Sequence, residues 1–372
     1  MPVMTRVTHI LRSLDPGGAE KMVLDLAALQ AGSGGIEPDI LCMQGPGPLA
    51  EKAREAGIPC RVAGMGGLRY LSPALRVRRL LAGGTRPDLV HTHNLVAQIH
   101  GAPAARSLGI PVVHTKHGRS VTSFRRAPFL RRIVYGMASR VAVVSRETGE
   151  SFRLRTGLGP ERVEVIYNGI RSGDFGRADR AEARRGLGLP EGATVFGSVS
   201  RLDPVKNHPL MLEAFARVRG EDAAFFLVAG DGPERGRIEG IVRRLGIEDS
   251  VVMAGYREDV DACLAAMDLF LQPSSEEGLS LTILEAAASG TPVVASRVGG
   301  NPEIIEDGVS GVLVEPGDVD ALEAAMKEFL ARPGRFEEMA AAAERIVAER
   351  FSLAAMERGY RELYRSVLGR GE

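Results

Sequence analysis

Pro273-Ser-Ser-Glu-Glu277-Gly278-Leu-Ser-Leu-Thr-Ile-Leu-Glu285-Ala-Ala-Ala-Ser-Gly290 carries two glutamates eight residues apart, one on each side of a predicted helix start. The apolar run ahead of it, 269–274, reads as a buried strand. Leu281, Ile283, Leu284 and the alanines at 286–288 then give a helix. Gly290 and Pro292 close that helix and open a further strand over 292–296. Strand, loop, helix and strand form one βα unit of a parallel sheet. Glu277 falls on the loop and Glu285 within the helix. A carboxylate facing a cleft can accept hydrogen bonds from two vicinal hydroxyls. The amides of Gly278, Leu279, Ser280 and Leu281, at the helix start, can receive a phosphate. Loop and helix together suit a nucleotide-diphosphate-sugar. The plainer reading, two glutamates on a solvated helix, fits poorly with the apolar residues around them.

Outward from this unit the same alternation continues. Strand-like runs recur at 194–200, 224–230, 250–255 and 311–316 in the second half. The first half has them near 7–11, 38–43, 59–64, 88–93, 111–116, 140–145 and 163–168. Helical spacing fills the gaps, for example at 18–31, 73–83, 95–108 and 127–137. Continuous apolar runs are the mark of parallel strands buried on both faces. The polar, glycine-containing stretch beginning Arg171-Ser-Gly-Asp-Phe-Gly separates the two series. The expected architecture is therefore α/β, with two doubly wound Rossmann-like domains. The first spans 1–170 and the second 191–351, with 171–190 as linker.

Composition limits what such a chain does. Its 372 residues are 44% hydrophobic and 25% charged, an ordinary globular balance. Basic and acidic residues number 47 each, so no global basic field exists to hold nucleic acid. No apolar run reaches the ~18–20 residues that span a bilayer, and the start lacks a signal-peptide layout. Cys42, Cys60 and Cys263 form no CxxC, which argues against a disulfide framework or zinc site and for a reducing cytosol. The expected location is cytoplasmic.

In doubly wound folds ligands bind at the carboxyl ends of the strands. After the first strand come Gly17 and Gly18, which allow close backbone approach at a helix start. Their spacing is not GxGxxG, so the dinucleotide fingerprint is absent, and phosphate contact or a plain turn both remain open. His91-Thr-His93-Asn94 and His114-Thr-Lys-His117-Gly118 end two neighbouring strands. His91 and His93 share one strand parity and hence one face. No Asp, Glu or Cys joins them at ligand spacing, so a cleft for a polyhydroxy or phosphorylated ligand is favoured over a metal. Core histidines satisfied by backbone fit His91 and His114 better than His93 and His117. In the second half, Arg201 and Lys206 flank a proline turn at a strand end and can meet a diphosphate. Gly230 and Gly232 form a tight turn at the cleft rim, and Tyr256 can line a base pocket.

These segments together resemble the retaining family-4 glycosyltransferases of GT-B fold. Glu277 to Glu285 is similar to their EX7E motif. Gly17-Gly18-Ala-Glu20, His93-Asn94, His117-Gly118, Tyr167-Asn168-Gly169-Ile170, the Ser200–His208 run, Ala229-Gly230-Asp-Gly232-Pro233 and the Gly290–Gly300 run also match. The resemblance implies that Gly18, Arg201 and Lys206 meet the donor diphosphate. Glu277 would hold the donor sugar, the amides of Gly278 to Leu281 sugar and phosphate, and Glu285 the ribose. His93, Asn94, His117 and Gly118 would line the sugar and acceptor side. His117, Glu277, Arg201 and Lys206 are the expected catalytic set. The family usually works without a metal, so the only co-substrate expected is a nucleotide-diphosphate-sugar, with a UDP-sugar first. Ser280 departs from the glycine, alanine or proline of many relatives, which bears on donor-sugar identity. The C-terminal helix, about 352–372, is implied to return to the first domain.

Asp259-Val-Asp261 and Asp318-Val-Asp320 have the DXD form of metal-dependent transferases. Both lie at helix starts, where acidic residues need no metal to explain them. The segment 124–133 mixes arginines with large apolar residues. It fits an anionic membrane surface, and then a lipid-linked acceptor, as well as it fits an ordinary surface helix. The expected activity is transfer of a sugar to a hydroxyl acceptor, in polysaccharide or glycolipid synthesis. The expected route is front-face substitution, with the leaving diphosphate taking the acceptor's proton. Rival readings are a GT-B sugar-nucleotide epimerase, a nicotinamide oxidoreductase and an inert nucleotide-binding module.

Overall fold

The computed structural model describes residues 4–64, 73–118, 128–220 and 224–370. The apolar runs of the first half become β1 (Thr5–Leu11), β2 (Ile36–Cys42), β3 (Cys60–Val62), β4 (Leu89–Thr92), β5 (Val112–Lys116), β6 (Arg140–Val143) and β7 (Val163–Val165). Those of the second half become β8 (Thr194–Val199), β9 (Ala224–Ala229), β10 (Val251–Gly255), β11 (Leu269–Gln272), β12 (Val293–Ser296) and β13 (Val312–Val314). Parallel strands are covered on both faces. Val141, Ala142 and Val143 in β6, and Leu269, Phe270 and Leu271 in β11, are accordingly all fully buried.

The first sheet runs β3-β2-β1-β4-β5-β6-β7 and the second β10-β9-β8-β11-β12-β13. In each, strand order reverses once, between β1 and β4 and between β8 and β11. A reversal opens a crevice at the carboxyl ends of the two strands beside it. The chain divides into two Rossmann-like units, Met1–Gly169 with Leu353–Glu372, and Ile170–Ser352.

The helix Leu353–Leu368 is the last element of the first unit. Tyr360 and Tyr364 are its buried anchors. The Tyr364 hydroxyl lies 2.6 Å from His91 Nδ1, and that of Tyr360 lies 3.1 Å from Thr115 Oγ1. Burying such hydroxyls requires partners of this kind.

The stretch 171–190 is not a free linker. It holds the helix Arg180–Leu187, capped by Asp179, whose side chain accepts from Glu182 N at 2.7 Å. One of its arginines points inward. Arg184 is 1% exposed, pairs with Asp268 at 2.7 Å and donates to the carbonyls of Ala266 and Ala193 at 3.1 and 2.9 Å. At Arg184 polarity marks a satisfied internal network, while the other charged residues of the stretch are exposed.

Of the segment 124–133, residues 124–127 lie outside the described residues. The remainder starts the helix Pro128–Gly136. Arg131 is buried and donates to the Arg155 carbonyl at 3.3 Å, so its charge is not offered to a surface. Phe129 and Ile133 are instead 65% and 53% exposed. No helix among the described residues is long and apolar enough to cross a membrane. Cys42 and Cys60, 18 residues apart in sequence, are brought to 3.9 Å between sulfurs by the β2–β3 pairing, as free thiols.

Candidate functional site

In the second unit β8 and β11 stand side by side, and the chain leaves both toward one crevice. β11 ends on Gln272, a buried polar residue closing an apolar strand. Gln272 Nε2 donates to Glu277 Oε1 at 2.9 Å and to Ser280 Oγ at 3.2 Å. Lys206, from the turn after β8, reaches the same Glu277 oxygen at 2.7 Å. Lys206 and Glu277, expected on separate parts of a donor, thus form one ion pair with side chains 20% and 10% exposed. Helix Leu281–Ala288 follows at once, with Ser280 as its cap accepting from Ile283 N at 3.4 Å. Its first-turn amides have no intrahelical partner and form the positive end of the dipole. Glu285 is buried within this helix, 3% exposed.

Gly299 supports the loop from behind. Its φ of +55° is left-handed, and a Cβ there would run into the Glu277 carbonyl. The Gly300 amide donates to the Gly278 carbonyl at 2.7 Å. The segment Gly290–Gly300 is therefore a mould for the Glu277 loop.

Other expected donor contacts take different roles. The Gly230 amide donates to the Gly255 carbonyl at 2.7 Å, and that of Gly232 to Asp231 Oδ1 at 2.7 Å. Neither is left for a phosphate. Gly230 is required because, at φ +150°, a Cβ would strike the Ser200 carbonyl. Arg201 is tied to Asp203 and its side chain is 69% exposed. Tyr256, just past β10, is 53% exposed. Both DXD segments are engaged. Asp318 caps a helix through Ala321 N at 2.8 Å, Asp261 accepts from the amides of Gly176 and Ala178 at 2.7 and 2.8 Å, and Asp259 pairs with Arg257.

In the first unit a cavity of about 210 Å³ lies at the ends of β1, β4 and β5, with Glu20, His93, Asn94, Lys116, His117 and Gly118 among its lining. Gly17 and Gly18 start the helix Gly18–Ser33 at its edge. Asn94 Oδ1 serves as a helix cap, accepting from Ala97 N at 2.9 Å, and its amide hydrogens are left to serve a ligand. His93 borders the cavity, but both its ring nitrogens are taken, Nε2 by His9 Nδ1 at 2.9 Å and Nδ1 by His117 Nε2 at 3.2 Å. It cannot bond an acceptor directly. Burial brings Lys116 down to about 8, with Arg155 adding to the effect.

His91 and His93 do share a face, with ring centroids 3.9 Å apart. His9 joins them, because β1 pairs with β4 in the register His9 to His91. The three rings offer nitrogen atoms within 4.8 Å of one another, the spacing of a metal triad. Each nitrogen nevertheless has a neutral partner. Those of His91 meet Tyr364 and Thr115, each at 2.6 Å, and His9 Nε2 meets Gln30 Oε1 at 2.9 Å. His114 points to the other face, with Thr92, at 2.9 Å.

Residues 179–346 match the family model Glycosyl transferases group 1, and residues 16–172 match Glycosyltransferase Family 4. The D-inositol 3-phosphate glycosyltransferase of Thermobispora bispora is 35% identical over 81% of this chain and 75% of its own. The chain belongs to the family-4 glycosyltransferases. A second relative of this glycosyltransferase is the N-acetyl-alpha-D-glucosaminyl L-malate synthase of Bacillus anthracis, 29% identical over 76% of the chain and 75% of its own. Anabaena HepE, solved in complex with UDP-glucose, superposes with TM-score 0.87 at 25% identity, over 97% of this chain and 99% of its own. The glycosyltransferase thus has the GT-B fold. Gln272, His9 and Gln30 are the residues that sequence reading missed. Gln272 had a signal, a polar residue at the end of an apolar strand.

Proposed function

We propose that this glycosyltransferase moves a sugar from a nucleotide-diphosphate-sugar, a UDP-sugar first, to a hydroxyl acceptor, with retention of configuration and without a metal. The observation that carries the reading is the Lys206–Glu277–Gln272 cluster at the start of helix Leu281–Ala288. An ammonium has three donors. One of Lys206 is spent on Glu277, which leaves two for diphosphate oxygens. Arg201 and the amides of Gly278 to Leu281 share that charge as the sugar–phosphate bond breaks. The second oxygen of Glu277 accepts from the sugar, and Glu285 from the ribose. The acceptor oxygen bonds to the anomeric carbon on the face the diphosphate leaves, and its proton passes to a diphosphate oxygen. His117, Asn94 and Gly118 receive the sugar and acceptor. HepE with UDP-glucose supports the donor, and malate and inositol phosphate in the relatives' names are hydroxyl compounds.

The test is transfer from UDP-sugars in EDTA, with product linkage read by NMR. Undiminished transfer giving an α-linkage from an α-donor is expected. Loss of transfer restored by manganese, or an inverted linkage, would refute it. Turnover of the sugar nucleotide with no acceptor present would favour the epimerase.

For 124–133 we propose contact with an anionic membrane, supported by the exposure of Phe129 and Ile133. Wild-type protein should float with anionic vesicles at low salt, and Phe129→Ser with Ile133→Ser should sink. Failure of the wild type to float removes the case for a lipid-linked acceptor.

A further inference from the structure

Four side chains of the first unit form one unbroken line of hydrogen bonds. Gln30 Oε1 meets His9 Nε2 at 2.9 Å, His9 Nδ1 meets His93 Nε2 at 2.9 Å, and His93 Nδ1 meets His117 Nε2 at 3.2 Å. The ring centroids are 5.2 and 5.4 Å apart, with planes 20° and 24° apart. The rings therefore meet nitrogen to nitrogen, edge to edge, and each N–H lies near the plane of the lone pair it faces. His117 Nδ1 ends the line. It is buried and has no hydrogen-bond partner among the described residues. His117 lines the cavity.

A neutral imidazole has one N–H and one lone pair. The line can then be polarised in one of two directions only, and its first member decides which. Gln30 presents a carbonyl oxygen, which accepts. His9 must therefore carry its proton on Nε2 and accept on Nδ1. His93 carries its proton on Nε2 in turn, and so does His117. Neutrality of all three rings follows from burial, which lowers His9 to about 4 and, with Lys116 beside it, His117 to about 3. Burial, and the neighbouring histidines, also hold His93 well below the usual histidine range.

We propose that Gln30, His9 and His93 are positioning residues that lock His117 in its Nε2–H tautomer, so that His117 Nδ1 offers a lone pair to the cavity and selects a hydroxyl of the sugar or acceptor there. A lone pair repels a carboxylate or phosphate oxygen and receives an O–H. His117 Nδ1 thus reads a hydroxyl, and the anionic part of any substrate keeps away from that atom. This rests on the transferase reading given above for its substrate, but not for its tautomer.

Histidine ring-15N labelling of the whole protein tests the tautomer directly at neutral pH. Long-range proton–nitrogen correlation should show His117 Nδ1 unprotonated and Nε2 protonated, with His9 and His93 alike. A proton on His117 Nδ1 would overturn the proposal, because the Gln30 amide would then be turned over and the whole line reversed. Zinc added in stoichiometric amount that shifts His9, His91 and His93 together would also overturn it, assigning the cluster to a metal. Gln30→Leu should leave His117 a mixture of tautomers and lower kcat/KM by about tenfold, the value of one hydrogen bond. Its UDP affinity should be unchanged. Gln30→Glu, which still accepts, should restore both the single tautomer and the rate. A single tautomer in Gln30→Leu at wild-type rate would refute the locking role. Absence of all transfer in the wild type would refute the transferase reading, while the nitrogen spectra still decide the tautomer.

Discussion

Glu277→Gln is expected to lower kcat by about 10²- to 10³-fold, the scale of losing one preorganised polar contact in a transition state. UDP affinity should change by less than about threefold, under 1 kcal/mol. The difference follows from which atoms Glu277 meets. One oxygen holds Lys206 and Gln272, both donors. The other is left to accept from the sugar, which UDP lacks. A glutamine can keep its carbonyl toward the two donors only by turning its amide group toward the sugar. The sugar then meets a donor where an acceptor stood, and its attack geometry is lost. Steady-state rates beside calorimetry with UDP check this. A Glu277→Gln protein that is folded yet binds UDP as poorly as Lys206→Ala would show that Glu277 acts on the diphosphate instead.

Lys206→Ala is expected to weaken UDP binding by about 1.5–3 kcal/mol, the range for a hydrogen bond to a charged group, or roughly 10- to 150-fold. The variant removes the diphosphate's cation and also strips Glu277 of its counter-charge, placing two anions near each other. Arg201→Ala should cost less, because Arg201 is largely exposed and already paired with Asp203. Lys206→Arg should not restore full affinity, since a planar fork does not occupy the place of a compact ammonium between two partners. Calorimetry on the three variants decides the order. An Arg201→Ala loss greater than that of Lys206→Ala would transfer the principal diphosphate role to Arg201.

The strands were legible in the sequence because burial on both faces leaves a continuous apolar run, as in Leu269-Phe-Leu-Gln272. The Glu277 loop was legible because its neighbours are too apolar for a solvated helix. Lys206 and Glu277 were each singled out, but not their pairing, since 71 residues separate them and only the adjacency of β8 and β11 joins them. His9 was invisible for the same reason. Its place beside His91 depends on a register between β1 and β4, and nothing local in Thr8-His9-Ile10 announces it. Arg184 misled by composition, because a buried arginine with an acceptor at each of its three nitrogens looks, in sequence, like any surface arginine. Asn94 and Gly230 were found as positions but not as roles, since a cap and a close backbone contact are decided by partners elsewhere.

The helix Leu353–Leu368 sets an order of events in synthesis. A ribosome delivers the strands of the first unit early, yet Tyr360 and Tyr364 emerge only after the whole of Ile170–Ser352 has been made. Until then His91 Nδ1 and Thr115 lack their hydroxyl partners. Ile170–Ser352 has all its strands in one uninterrupted piece of chain and can close as soon as it clears the exit tunnel. The half begun first is thus finished last, and a nascent chain stalled before Tyr360 emerges carries a completed second unit and an unsealed first one.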